Sequence, residues 1–173
     1  MSIQSILQDF CKEQPGEVDT RQLEAEIQKQ LLERRDRLTH IFETVILPSV
    51  YSVERDLQQM GFWHVLQLQQ TSTENSPKPH ILGVLFFFYP EKIPTDQYNP
   101  KMLEAAYRAD IFCTEDFRKI MMTLAFPVRF PPRVDIEEKL FLPEEMTTKV
   151  VDDFLESFIK GAIDVYRSDR TLL

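Results

Sequence analysis

The apolar run ILGVLFFFY, at residues 81–89, constrains the fold more than any other part of the chain. Seven of its nine residues are large and apolar, and only Gly83 interrupts them. The run is far shorter than the roughly 20 residues that a helix needs to cross a bilayer. A strand without polar alternation is typical of a sheet that is covered on both faces. We therefore predict a central strand here, with cover on each side.

Helical patterns precede this run. Residues 1–14 place apolar side chains on one face and predict a short helix. Residues 19–60 continue a helical stripe for much longer, and Gly61 follows where a left-handed residue ends a helix. Pro48 removes a backbone donor, so we expect a kink near it, with a break into two helices as the alternative.

Residues 62–126 hold four strand candidates. The polar segment at 71–79 is predicted to be the tip of a hairpin. Residues 101–113 fit either a helix or a strand, and their alternation favours the strand. Residues 127–142 contain three prolines, a fourth follows at position 143, and the segment is predicted to be an irregular connector. Residues 143–168 predict an amphipathic C-terminal helix.

This order of elements predicts an α+β fold formed by a single domain over residues 1–173. Short connections favour an antiparallel four-stranded β-meander, packed against the long N-terminal helix and the C-terminal helix as a two-layer sandwich. The helices cover one face of the sheet. The second face then needs the connector, the N-terminal helix or a second copy of the chain.

The charge of the chain limits its partners. Acidic residues outnumber basic ones by 28 to 20, for a net charge of −8. That charge repels a phosphate backbone and an anionic membrane surface, so we expect no nucleic acid and no membrane partner. The opening residues do not form a secretory signal, and we expect a cytoplasmic location. Cys11 and Cys113 are expected to be buried free thiols.

No signature of catalysis or of cofactor binding is visible in the chain. A phosphate loop, a dinucleotide fingerprint and a nucleophile elbow are all missing from the sequence. His40, His64 and His80 stand far apart, without the spacing of metal ligands. We expect no cofactor and no metal, and we lean against an enzyme while leaving a dispersed site open.

Six residues are candidates for binding or for an interface. Arg34 interrupts an apolar helical stripe, either with a solvated head group or as a clamp for an anion or carboxylate at a groove or a dimer seam. Arg108 lies near Asp110 on a predicted strand face. The aromatic candidates are predicted to form a floor on the second sheet face, with Phe87 on the helix side; they are Trp63, Phe86, Phe88 and Phe112.

These features predict a non-enzymatic binding or assembly module, chaperone- or adaptor-like, that acts through an apolar sheet face. We expect a homodimer, with a protein partner or an apolar small molecule as a further partner. The alternative is a protein that binds an apolar or aromatic small molecule in a cavity between sheet and helix.

Overall fold

The computed structural model describes residues 2–13, 17–71, 79–94 and 99–171. The chain divides into two compact units, Met1–Arg34 and Arg35–Leu173, and each is described by itself. The first unit holds helix α1, Ile3–Glu13, and most of helix α2, Glu17–Ile41. Cys11 is exposed on α1, so the prediction of a buried thiol is wrong there. The apolar residues of α1 are also exposed: Ile3, Ile6, Leu7 and Phe10.

The long helical pattern contains an interruption close to its proline. Helix α2 passes into a π-helical turn, Phe42–Ile46, and helix α3 follows over Leu47–Met60. Pro48 lies at the start of α3, where its missing N–H leaves one helical hydrogen bond unmade and a wider turn makes room for its ring. Gly61 ends α3 with a φ of 79°, which confirms the predicted left-handed position.

A five-stranded sheet forms the centre of the second unit. Its strands are β1 (Phe62–Thr71), β2 (His80–Lys92), β3 (Tyr107–Cys113), β4 (Ile120–Val128) and β5 (Arg133–Phe141). They are antiparallel and follow one another in sequence order across the sheet. The predicted α+β meander is confirmed, with five strands instead of four. Strands β1 and β2 pair as a hairpin, and residues 72–78 of its predicted tip lie outside the described residues.

Residues 101–113 form both of the predicted alternatives in turn. A short helix α4, Pro100–Ala105, precedes β3, so the preferred strand is wrong for this first part. The carboxamide oxygen of Asn99 accepts a hydrogen bond from the N–H of Lys101 at 3.0 Å. This cap, together with Pro100 in the first turn, starts a helix where alternation alone predicted a strand.

The predicted connector contains strand β5, and the prediction of an irregular segment is wrong there. The prolines at positions 127, 131, 132 and 143 lie outside Arg133–Phe141, so none of them removes a donor from this strand. A 3-10 turn, Pro143–Glu145, follows, and helix α5 extends over Thr148–Thr171. Among the described residues, no helix combines the length and the apolar character that crossing a bilayer requires.

The helices of the second unit pack against one face of the sheet, which we call the helix face. Helix α5 contacts β2, β3 and β4, while α3 contacts β1. Phe158 of α5 lies at the centre, with its ring centroid 6.1 Å from that of Phe86 and 6.2 Å from that of Phe88. Phe86 therefore faces the helices, and the predicted assignment of Phe87 to that side is wrong. Alternation requires these two neighbours to point in opposite directions, but both are apolar, so the pattern did not indicate which one faces the helices.

Candidate functional site

The four aromatic candidates lie on different faces of the sheet. Phe86 and Phe88 are each 1% exposed in the core of the helix face. Trp63 alternates with Phe62 and His64 on β1, so it points to the opposite face, where it is buried. Phe112 also lies on that opposite face, because it pairs with Gly83 of β2 and its ring occupies the space above this glycine. The predicted aromatic floor is therefore not assembled.

The two candidate arginines lie on different elements. Arg34 is half-buried on α2 in the first unit. Arg108 lies on β3 in the second unit, and its Nε is 3.0 Å from Oδ2 of Asp110. The Asp110 side chain is only 10% exposed, and this burial raises its pKa more than the neighbouring guanidinium lowers it. Its Oδ1 is buried and accepts no hydrogen bond from a described residue, so this carboxylate is costly to keep charged.

The face of the sheet opposite the helices, which we call the outer face, is rich in apolar side chains. In the register of the five strands, one row of paired residues crosses it from Val65 through Phe87 and Arg108 to Ile136. Val65, Phe87 and Arg108 are half-buried, Ala125 of β4 is buried, and Ile136 at the β5 end is exposed. The apolar side chains of the outer face that remain half-buried or exposed are Val65, Leu85, Phe87, Phe112, Met121, Val134, Ile136 and Leu140.

Strand β5 carries the most exposed part of the outer face. Val134, Ile136 and Leu140 are 54%, 59% and 55% exposed. The alternate residues, on the helix face, are charged: Arg133, Asp135, Glu137 and Lys139. The strand lies at the end of the strand order and pairs with β4 alone. The sequence does alternate between apolar and charged residues here, but the prolines on either side led to the prediction of an irregular segment.

Two clefts adjoin β4 and β5 on opposite faces. On the helix face, a cleft of about 280 Å³ lies between these strands and α5. Its walls combine apolar side chains with the charged groups of Glu137, Lys139 and Asp153. On the outer face, a cleft of about 260 Å³ lies between Leu103 near the end of α4 and Phe87 of β2. The first cleft lies between sheet and helix, but none of the aromatic candidates that were predicted to line such a cavity lies in its wall.

A cluster of tyrosines surrounds a third, polar cleft of about 220 Å³, which the sequence analysis missed. The rings of Tyr89 and Tyr107 stack with centroids 6.1 Å apart, and Tyr166 meets Tyr89 edge-on. The Tyr166 hydroxyl donates to Glu91 at 2.6 Å. Burial together with this bond raises the pKa of Tyr166 to about 12, and burial also raises the pKa of Tyr89 and Tyr107. These residues are far apart in sequence, so no local motif indicates them.

The three histidines remain apart. His80 is buried, with Nε2 2.7 Å from Oδ1 of Asp36 at the end of α2. His64 lies on β1, with Nδ1 2.9 Å from the carbonyl oxygen of Phe62, and His40 is exposed on α2. Within the described part of the chain, no three histidine, cysteine or acidic side chains are grouped so that they could hold a metal ion.

Comparison with protein-family models, with curated proteins and with solved structures finds no match to this chain. The outer face carries half-buried or exposed apolar side chains from all five strands. Its chemistry is suited to protein association, because removal of apolar side chains from water drives such binding.

Proposed function

We propose that this protein is a non-enzymatic binding or assembly module, chaperone- or adaptor-like, that works through the outer face of its sheet and forms a homodimer. The observation that carries the proposal is the exposure of three apolar side chains on the outer face of β5, where Glu138 lies between two of them. Val134, Ile136 and Leu140 are each more than half exposed, next to the half-buried apolar residues of the central strands.

Exposure of this kind is unusual when it is contiguous. Single apolar side chains are common on protein surfaces, whereas larger continuous patches mark interaction sites. The outer face also carries a charged pair, Arg108 and Asp110, within an apolar surround. An apolar centre with a few polar groups is the usual composition of a protein interface.

Sedimentation equilibrium on two matched lysine variants tests this proposal. Leu140→Lys places a charge on the outer face, and Met60→Lys places the same charge on α3 at a side chain that is 59% exposed, close to the 55% of Leu140. We expect the wild-type chain to dimerise, Leu140→Lys to weaken the dimer at least about tenfold, and Met60→Lys to leave it unchanged. A wild-type chain that stays monomeric at every concentration, or equal behaviour of the two variants, contradicts the proposal.

A second candidate function is the binding of an apolar or aromatic small molecule in the cleft between the sheet and α5. The supporting observation is the lining of this cleft, which combines the apolar side chains of Met122, Phe141 and Phe154 with the polar Ser157. Native mass spectrometry of freshly purified protein tests it. A retained small molecule that is lost in Phe154→Lys supports this function, whereas a bare chain mass argues against it.

A further inference from the structure

Strand β5 has the features of an edge that is open to another strand. It is the last strand of the sheet, and eight of its nine residues, 133–140, are exposed. Helix α5 makes its main contacts with β2, β3 and β4, and an open cleft lies between it and β5. No proline occurs within the strand, so every residue keeps its N–H. An edge of this kind is a template for pairing with a further strand.

We propose that the partner is β5 of a second copy, paired antiparallel about a twofold axis. This inference rests on the proposed function and specifies how the homodimer forms. A twofold axis requires that if one residue faces another across the interface, the reverse contact also forms. Pairing on such an axis joins the two sheets into one continuous sheet, with both helix layers on the same side. The residue that lies on the axis then defines the register.

The charges of β5 distinguish between the registers. With Ile136 on the axis, Arg133 faces Lys139 of the second copy and Asp135 faces Glu137, so every pair of charged residues opposes like charges. Like charges directly opposite one another destabilise a sheet. This register is therefore excluded, although it aligns most of the strand.

With Glu137 on the axis, Asp135 faces Lys139 of the second copy, and the contact forms twice. Val134 faces Leu140, which joins two side chains that are each more than half exposed. All nine residues of β5 pair in this register. With Glu138 on the axis, Glu137 faces Lys139 and Ile136 faces Leu140, but only residues 135–141 pair and Val134 has no partner within the strand. The longer pairing, and not charge, favours Glu137 over Glu138. We therefore assign the axis to Glu137.

The assigned register also places Ile136 opposite Glu138 and Arg133 opposite Phe141. Its one contact between like charges joins the two copies of Glu137 on the axis. Lys139 of the opposite copy lies diagonally next to each of these carboxylates, within reach of a long side chain. The contact nevertheless places two negative charges side by side. Glu137→Gln should therefore tighten the dimer, and Glu138→Gln should not do so to the same extent.

Charge exchange tests the register directly. Lys139→Glu opposes Asp135 with a second acid, and Asp135→Lys opposes Lys139 with a second base. We expect each single variant to weaken the dimer about tenfold at low salt, because two favourable pairs become unfavourable. The double variant Asp135→Lys/Lys139→Glu restores both pairs and should return the dimer to within about threefold of wild type.

Lys160→Glu is the matched control. Lys160 pairs with Glu156 on the exposed side of α5, and its side chain is 73% exposed. The control makes the same charge change away from β5 and should leave the dimer unchanged. Asp135 pairs with Arg133 of its own strand at 2.9 Å, but both side chains are about half exposed, so the loss of this pair costs little. Circular dichroism of all variants should therefore show wild-type folding.

The outcomes separate this inference from the proposed function. If the wild-type chain dimerises and Leu140→Lys weakens the dimer, but the double variant is no better than the singles, the pairing of β5 is wrong and the proposed function stands. The pairing is also wrong if Lys139→Glu behaves like Lys160→Glu. If the wild-type chain does not dimerise at all, the proposed function fails together with the pairing.

Discussion

Truncating the adjacent residues Phe86 and Phe87 to alanine compares how much the two faces of the sheet contribute to the free energy of unfolding. Phe86 is 1% exposed and contacts Phe158 and His64, with ring centroids 6.1 Å and 6.4 Å away. Phe86→Ala leaves a cavity in a packed core and should reduce the free energy of unfolding by about 3–5 kcal/mol. This is a large part of the 5–15 kcal/mol that is typical of a folded domain. Phe86→Ala should therefore be only marginally folded.

Phe87 is half-buried on the outer face, where it pairs with Val65 and Arg108. Complete burial of a phenylalanine contributes about 1.5–3 kcal/mol, so partial burial implies a loss of about 1 kcal/mol for Phe87→Ala in the monomer.

Urea denaturation at low protein concentration measures both losses, with circular dichroism and the fluorescence of Trp63, the single tryptophan, as probes. Equal losses, or a larger loss for Phe87→Ala, would refute the assignment of the helix face.

Three further substitutions test individual contacts. Gly83→Ala places a methyl group in the space taken by the Phe112 ring and should reduce the free energy of unfolding by about 1–3 kcal/mol in urea denaturation. The double variant Gly83→Ala/Phe112→Leu should recover part of this loss. An unchanged urea midpoint for Gly83→Ala contradicts this packing. Tyr166→Phe removes the hydrogen bond to Glu91, should cost about 0.5–1.5 kcal/mol, and should remove one of the tyrosines that titrate above the ordinary pKa in an ultraviolet absorbance titration. Burial raises the pKa of Asp110, so this carboxyl group binds a proton more readily in the folded protein than in the unfolded chain. Asp110 therefore makes the free energy of unfolding fall as pH rises from the ordinary pKa of aspartate through the raised pKa. Asp110→Asn should flatten that slope and raise Tm at pH 7 by about 2–4 °C, whereas a Tm below wild type at pH 7 would show that the Arg108 pair outweighs burial.

The sequence was sufficient for the class of the fold because its strongest signals are local and periodic. The apolar run of β2 predicted a central strand, and the stripe on α5 predicted an amphipathic helix. Gly61 predicted the end of α3 from its conformational freedom alone. Each of these features depends on a few residues that are close together in the chain.

The errors arose where distant residues decide the outcome. Strand β5 needs β4 as a neighbour, and the proline-rich flanks concealed a segment whose alternation was present. The tyrosine cluster joins β2, β3 and α5, so no spacing in the chain indicates Tyr107 and Tyr166 as neighbours. The size and charge of a residue do not show whether it is buried. Phe86 was therefore predicted to lie on the second sheet face, although helix α5 buries it.

The net charge of −8 and the charges of β5 act on association at different distances. Two copies of an acidic chain repel each other at long range, and salt screens this repulsion beyond about 8 Å at physiological ionic strength. The contact between Asp135 and Lys139 of a second copy acts at short range and is weakened less by the same salt. Rising ionic strength should therefore first strengthen the dimer and then weaken it. An association that only weakens as salt is added would mean that attraction between exposed charges, and not the apolar residues of β5, holds the two copies together.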